Sequence, residues 1–237
     1  MAIKLTDPFN SEGWIQAQKE PAVYETSTGK WYGKTVQLGE QLWMAENLKV
    51  THYKDGTPIP CYTFDDAAWT ADTGGACSAY IPNSNTEHGF DEIGWELQYG
   101  LLYNWHAVNN AAGLAPEGWH VPTDTEWTTL EGYILSGLSI IDDGSALADR
   151  KDLWNPADTT LIDSSDFGAT GFNGLPAGYR NGVNGSYVNT GKSGMFWSSS
   201  ESISTDAWYR VLAYGNSNVY RNDTDKEFGF SVRCIKD

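Results

Sequence analysis

From Trp208 to Gly215 the chain alternates residue by residue, with Trp208, Arg210, Leu212 and Tyr214 on one parity and Tyr209, Val211, Ala213 and Gly215 on the other. Successive side chains of a strand point to opposite faces, so β-structure here puts large anchoring groups on one face and a mixed set on the other. A strand built this way can be held by one face and meet a ligand with the other. A turn is expected at Asn216 and Ser217, after which Asn218, Tyr220 and Asn222 again take alternate positions, with Val219 and Arg221 on the anchoring parity. The stretch runs into a closing block, Gly229-Phe230-Ser231-Val232-Arg233-Cys234.

The rest of the chain supports an interior filled by rings between turns. It holds 11 Trp, 13 Tyr and 25 Gly against 15 Lys plus Arg, which disfavours long coiled coils and solenoids. Two helices are expected. Leu101, Leu102, Trp105 and Val108 recur at helical spacing after Gly100, with Gly113 as a stop. After Pro122, Thr123 can cap a second helix while Glu126 completes a capping box, and Trp127, Leu130 and Ile134 share one face. Thr35 to Leu38 and Gln41 to Met44 read as a hairpin around Gly39-Glu40, and from Gly168 onward short strands and Gly or Asn turns dominate. The fold class expected is therefore α+β, with two helices and short antiparallel strands. Residues 35–237 form one domain in this reading. Residues 1–34 are a leader or an added hairpin, with short strand candidates Ala22 to Glu25 and Trp31 to Tyr32 about a turn at Thr26 to Lys30.

A formal net charge of −16 repels phosphate backbones and anionic bilayers, so no nucleic-acid partner is expected. No stretch approaches the roughly 18 apolar residues of a membrane span, and Met1 to Pro21 has neither a basic start nor an apolar run, so neither membrane insertion nor an export signal is expected. Cys61, Cys77 and Cys234 permit one disulfide and leave one thiol over. His52, His88, His106 and His120 lie far apart, without the spacing of a zinc site, and His106 and His120 read as structural histidines. Asp223, Asp225 and Glu227 could offer oxygens to calcium, but they lack the ligand periodicity of a calcium loop and read as a solvated turn. Asp124 and Glu126 belong to a helix's first turn, where carboxylates are stabilised without catalysis. No metal, cofactor or catalytic residue is expected.

Several blocks, in order, resemble the Fibrobacter succinogenes major paralogous domain family. They are Thr35 to Leu48, Tyr99 to Val108, Leu114 to Leu130, Gly171 to Arg180, Phe196 to Ser199 and Gly229 to Cys234. The resemblance implies a C-type lectin-like fold of the type shared with formylglycine-generating enzymes, its late strands and loops carrying the ligand surface. It would carry that enzymatic activity only with a reactive cysteine pair in the C-terminal part, and Cys234 is the only cysteine after Cys77. The calcium-dependent sugar-binding signatures of animal lectins are missing as well.

Some proteins that look like this are variable products of diversity-generating retroelements, in which adenines of a template are copied erroneously into the gene's 3′ end. Randomised adenines in an Asn codon cannot yield Trp, Lys, Glu, Gln or Met, and from Ile203 to Asp225 only Trp208 falls outside the permitted set. The resemblance thus implies a non-catalytic protein displaying a variable surface to an unknown protein or glycan, outside the cell, on its surface or on a phage particle. The candidate contact residues are Ile203, Thr205, Tyr209, Val211, Ala213, Gly215, Asn216, Asn218, Tyr220, Asn222, Asp223, Thr224 and Phe228. Three other readings stay open: an ordinary solvent-facing hairpin, an enzyme related to formylglycine-generating enzymes, and an invariant structural or adhesive domain.

Overall fold

The computed structural model describes residues 33–80 and 98–237, together with the backbone of 23–25 and 30–32. β1 (Val23–Glu25) pairs antiparallel with β2 (Lys30–Tyr32); residues 26–29 of the expected turn, and His88, lie outside the described residues. β3 (Thr35–Leu38) and β4 (Gln41–Met44) form the expected hairpin, with Gly39 at φ +61°, a conformation that suits a residue without a side chain. β4 pairs with β13 (Ile235–Lys236) and β13 with β7 (Trp119–His120), so one four-stranded sheet joins the start of the domain to its last strand.

Four α-helices occur among the described residues: α1 (Asp66–Ala71), α2 (Trp105–Val108), α3 (Asp124–Gly132) and α4 (Asp143–Leu147). The first expected helix is shorter than its apolar spacing implied. Leu101 to Tyr103 instead form β6, antiparallel to β5 (Cys77–Ala79), and every residue of the pair is buried. A short apolar run fits a fully buried strand as well as a helix, and here Gly100 at φ +78° leads into β6 while the Asn104 cap separates β6 from the single turn of α2. The second helix matches its capping signal: Thr123 Oγ1 accepts the Glu126 N–H at 3.2 Å, and Glu126 Oε2 accepts the Thr123 N–H at 2.7 Å. Trp127, Leu130 and Ile134 are all buried, although Ile134 sits in a wider turn, Tyr133–Gly137, that continues α3.

β8 (Tyr179–Arg180) and β9 (Tyr187–Val188) make a small ribbon. β10 (Ser193–Glu201), β11 (Asp206–Ala213) and β12 (Asn216–Asp225) form an antiparallel sheet in that order. The architecture is α+β with antiparallel strands throughout its sheets.

This last sheet divides two cores. Trp197 and Ala207 pack into a cluster with Tyr103, Trp105 and Phe230, while Phe196 and Leu212 join Trp43, Trp127 and Phe172 on the opposite side. The alternation of strands β10 and β11 therefore feeds both cores, and each fully buried ring contributes about 2–3 kcal/mol. Three arginines are fully buried among these rings: Arg180, Arg210 and Arg233. Arg233 ties the closing block to the β4 region, donating to Asn47 Oδ1 at 2.6 Å, to the Met44 carbonyl at 3.1 Å and to the Phe172 carbonyl.

Candidate ligand-binding surface

The anchoring parity of β11 meets helix α3 and the second core. Leu212 is buried there, with Tyr214 and Val219 packed against the same cluster. Arg210 donates to Asp124 Oδ1 at 2.7 Å and also pairs with Glu131. Across the ladder from Arg210, Arg221 reaches the same carboxylate, with Nε 2.9 Å from Asp124 Oδ1 and Nη2 2.9 Å from Oδ2. Burial raises the Asp124 pKa, but hydrogen bonds from Arg221 and Arg210 outweigh it and hold the carboxyl below its usual range. Burial dominates at Glu131, whose pKa is raised although Arg210 opposes the shift. Asp124 is thereby explained as an anchor between helix and sheet.

The other parity opens to solvent on β12 and not on β11. Val211 is buried, and Tyr209 is half-buried, its ring 4.6 Å from Phe230 and 5.9 Å from Trp197. The cause is the second core: a β11 sandwiched between two clusters has no free face. On β12, by contrast, Asn218, Tyr220 and Asn222 are exposed. Tyr220 stands opposite Val211 and Asn222 opposite Tyr209, so the register joins the four on one face. The Asn222 side chain also hydrogen-bonds the Tyr209 hydroxyl, tying an exposed amide to a packed ring.

Phe228 joins this neighbourhood through rings, 5.9 Å from Tyr179 and 6.2 Å from Phe230. Thr224 is half-buried opposite Ala207. Ile203 and Thr205 are exposed in the β10–β11 turn, at the opposite end of β11 from the exposed Gly215 and the half-buried Ala213 and Asn216. Eight residues of strand, about 25 Å, separate those ends, so one small ligand cannot touch both. Asp223 is exposed on the parity of Arg221. Two residues missing from the sequence-derived set belong beside it: Met195, opposite Val211 on β10, and Tyr179. The alternation of Met195 and Trp197 with Gly194 and Phe196 held the signal for the first, while nothing local marked Tyr179.

The turn lies at Tyr214–Gly215, two residues before the expected one, because Ala213 already pairs with Asn216. Tyr214 is held outside the ladder, donating to the Lys192 carbonyl at 2.9 Å and accepting from the Leu161 N–H at 3.1 Å. Asn216 then accepts the Asn218 N–H through its own side chain at 2.7 Å, which leaves the start of β12 irregular. That stretch is held by α4. Asp142 Oδ1 accepts from Ser217 Oγ at 2.8 Å, and Asp143 Oδ1 accepts from the Val219 N–H at 2.9 Å. Gly144 allows the approach, since a Cβ there would stand 2.7 Å from the Asn218 carbonyl carbon.

Cysteine and histidine placements bear on chemistry. Cys61 and Cys77 form a disulfide, and Cys234 is a free, buried thiol whose pKa is pushed up by burial. His120 is hydrogen-bonded at both nitrogens, to Glu126 at 2.9 Å and Asp237 at 2.8 Å. His106 on α2 lies 3.6 Å from Glu227. Among the described residues no three His, Cys, Asp or Glu side chains gather to hold a metal, and no helix is long and apolar enough to cross a membrane.

The fold and this surface define an α+β domain whose β10-β11-β12 sheet ends in a strand without a buried residue. Residues 36–236 match the Fibrobacter succinogenes major domain, and the chain belongs to that family. No curated protein and no solved structure matches the chain.

Proposed function

We propose that this chain is a non-catalytic ligand-binding domain of the C-type lectin-like type that meets a protein or glycan with β12, as a retroelement-diversified protein of a phage particle or cell surface. One observation carries the reading. Within a single hairpin, β11 is locked between two cores while Asn218, Tyr220 and Asn222 of its partner strand project to solvent. Residues whose side chains project to solvent can be exchanged at little cost to the fold. Their types suit recognition: tyrosine supplies contact area at small rotamer cost, and asparagine supplies adaptable hydrogen bonds. The buried, weakly acidic Cys234 thiol supports a role without turnover, because thiol chemistry needs an accessible thiolate.

Sequencing the DNA that flanks the gene tests the diversification. The expected result is a near-copy of the 3′ end with adenines at the codons of Asn218, Tyr220 and Asn222, and related copies that differ there while Arg210 and Leu212 stay fixed. A locus with neither a template copy nor a reverse-transcriptase gene sinks it. Binding is tested by screening the protein on glycan and protein arrays beside the Asn218→Ala, Tyr220→Ala, Asn222→Ala triple variant. Hits that the variant keeps in full would place the contact surface elsewhere.

A further inference from the structure

The outer side of β12 offers a second kind of surface, made of backbone. β12 ends the order β10-β11-β12, and no other described strand pairs with it. Two hydrogen bonds fix which of its groups face outward. The Val219 N–H turns away from β11 to Asp143, while the Lys226 N–H turns inward to the Thr205 carbonyl at 3.1 Å. Backbone groups of a strand alternate in direction, so Tyr220, Asn222 and Thr224 bond β11 while Arg221, Asp223 and Asp225 point outward. Among the described residues the hydrogen bonds from the α4 segment to this edge end at Val219. The Asp225 carbonyl is taken by the Phe228 N–H at 3.2 Å, which closes the other end.

The rim of this open stretch is acidic. Asp206 stands directly opposite Asp225 in the ladder, and Asp223 and Glu227 lie close in sequence on either side of Asp225. The neighbouring cations are already engaged, Arg221 by Asp124 and Lys226 by Glu201 at 2.7 Å. Burial and the charges of Asp206 and Glu227 raise the Asp225 pKa, the mark of carboxylates crowded without a counterion. Such a rim repels a second copy of a chain carrying net charge −16 and attracts the opposite sign.

We propose that the β12 edge from Arg221 to Asp225 is a docking slot for an extended basic segment of a partner protein, which adds as a fourth strand to the sheet. Main-chain hydrogen bonds at Arg221, Asp223 and Asp225 supply the attachment, and lysine or arginine at alternate positions meets the acidic rim. The slot is distinct from the face of Asn218, Tyr220 and Asn222. A ligand of that face is lost in Tyr220→Ala and kept in Asp223→Pro, so the two readings fail separately.

The test uses the full chain and a capped peptide of alternating lysine and valine, with an alternating glutamate and valine peptide as control. Amide hydrogen exchange and fluorescence anisotropy are the readouts. The basic peptide should bind and slow exchange at Arg221, Asp223 and Asp225, and the acidic peptide should not bind. Asp223→Pro removes only an outward N–H, as edge strands tolerate, and should weaken binding roughly tenfold or more. The Asp223→Lys, Asp225→Lys variant keeps both N–H groups and should weaken it by a similar factor. Near-ultraviolet circular dichroism reports that each variant is folded. Undiminished binding to a folded Asp223→Pro, protection elsewhere, or no binding at all overturns the proposal. So does protection of these amides by rising protein concentration alone, which would make the occupant a second copy.

Discussion

The Arg221 guanidinium lies 3.4 Å above the Trp208 ring while its nitrogens grip the Asp124 carboxylate. Arg210 holds the same carboxylate from inside, and its side chain is fully buried where that of Arg221 is 42% exposed. One acid at the start of α3 thus pins both strands of the hairpin, through two arginines at different depths.

Depth decides what each arginine is worth. Removing the buried one strands Glu131 and leaves Asp124 to Arg221 alone, so Arg210→Met should cost about 3 kcal/mol. Arg221 loses a solvated ion pair and one cation–π contact, so Arg221→Ala should cost under about 1 kcal/mol. Urea denaturation of the two variants measures this. Equal losses would show that the burial of Arg210 carries no special weight.

The His120 contacts predict a pH profile. Burial pulls the His120 pKa down, but hydrogen bonds with Glu126 and Asp237 outweigh it, and the net shift is upward. A raised folded-state pKa gives stability that is complete below the unfolded value, about 6.5, and lost as pH rises through the folded one. Glu126 behaves oppositely. Burial raises its pKa, but the Thr123 and His120 hydrogen bonds outweigh this and lower it, so its contribution is present above about 4.3 and lost on acidification. The pair therefore stabilises most between about pH 4.3 and 6.5. His120→Gln should flatten the loss of stability above that window, and nuclear magnetic resonance should find the His120 titration above the ordinary histidine value. A midpoint at or below it would refute the assignment.

Local signals proved legible where one interaction decides the structure. The Thr123–Glu126 capping box, the Gly39 hairpin and the buried stripe of Trp127, Leu130 and Ile134 all stand as their residues imply. Leu101 and Leu102 did not, since two adjacent leucines carry no period and β5 supplied the partner that made them a strand. On β11, alternation located the strand but could not reveal that Phe230 and Trp197 close its second face. Those contacts join distant parts of the chain, and a pattern of small and large residues is the same whether its partner is solvent or a ring. The burial of Arg180 and Arg233 was similarly hidden, whereas Arg210 stands on the anchoring parity as expected. Their acceptors include the Met44 and Phe172 carbonyls for Arg233 and the Gly185 carbonyl for Arg180, which no charge pattern records.

Cysteine chemistry gives a sharp count. The native protein should show no thiol reactive to a small disulfide probe, and one per chain in denaturant, because Cys234 is buried and Cys61 is bonded to Cys77. A native-state thiol signal would contradict one of these placements, and the count in denaturant, one or three, tells which. The Cys61→Ser, Cys77→Ser variant should lose about 3 kcal/mol, the chain-entropy value for a bond with a sequence separation of 16.

The hairpin's two strands should respond unequally to alanine. Tyr209 and Val211 face the ligand parity yet are held by packing, so Tyr209→Ala should cost about 3 kcal/mol and Val211→Ala about 2 kcal/mol, through lost burial and the cavities left behind. Asn218→Ala, Tyr220→Ala and Asn222→Ala each remove exposed groups, and each should shift stability by no more than about 0.5 kcal/mol. Thermal or urea unfolding of the five variants separates the sets. If the β12 substitutions proved as costly as the β11 ones, β12 would be structural rather than exchangeable, and the proposed contact surface would lose its footing. A clean split instead means that one strand of the hairpin can vary freely because the other cannot.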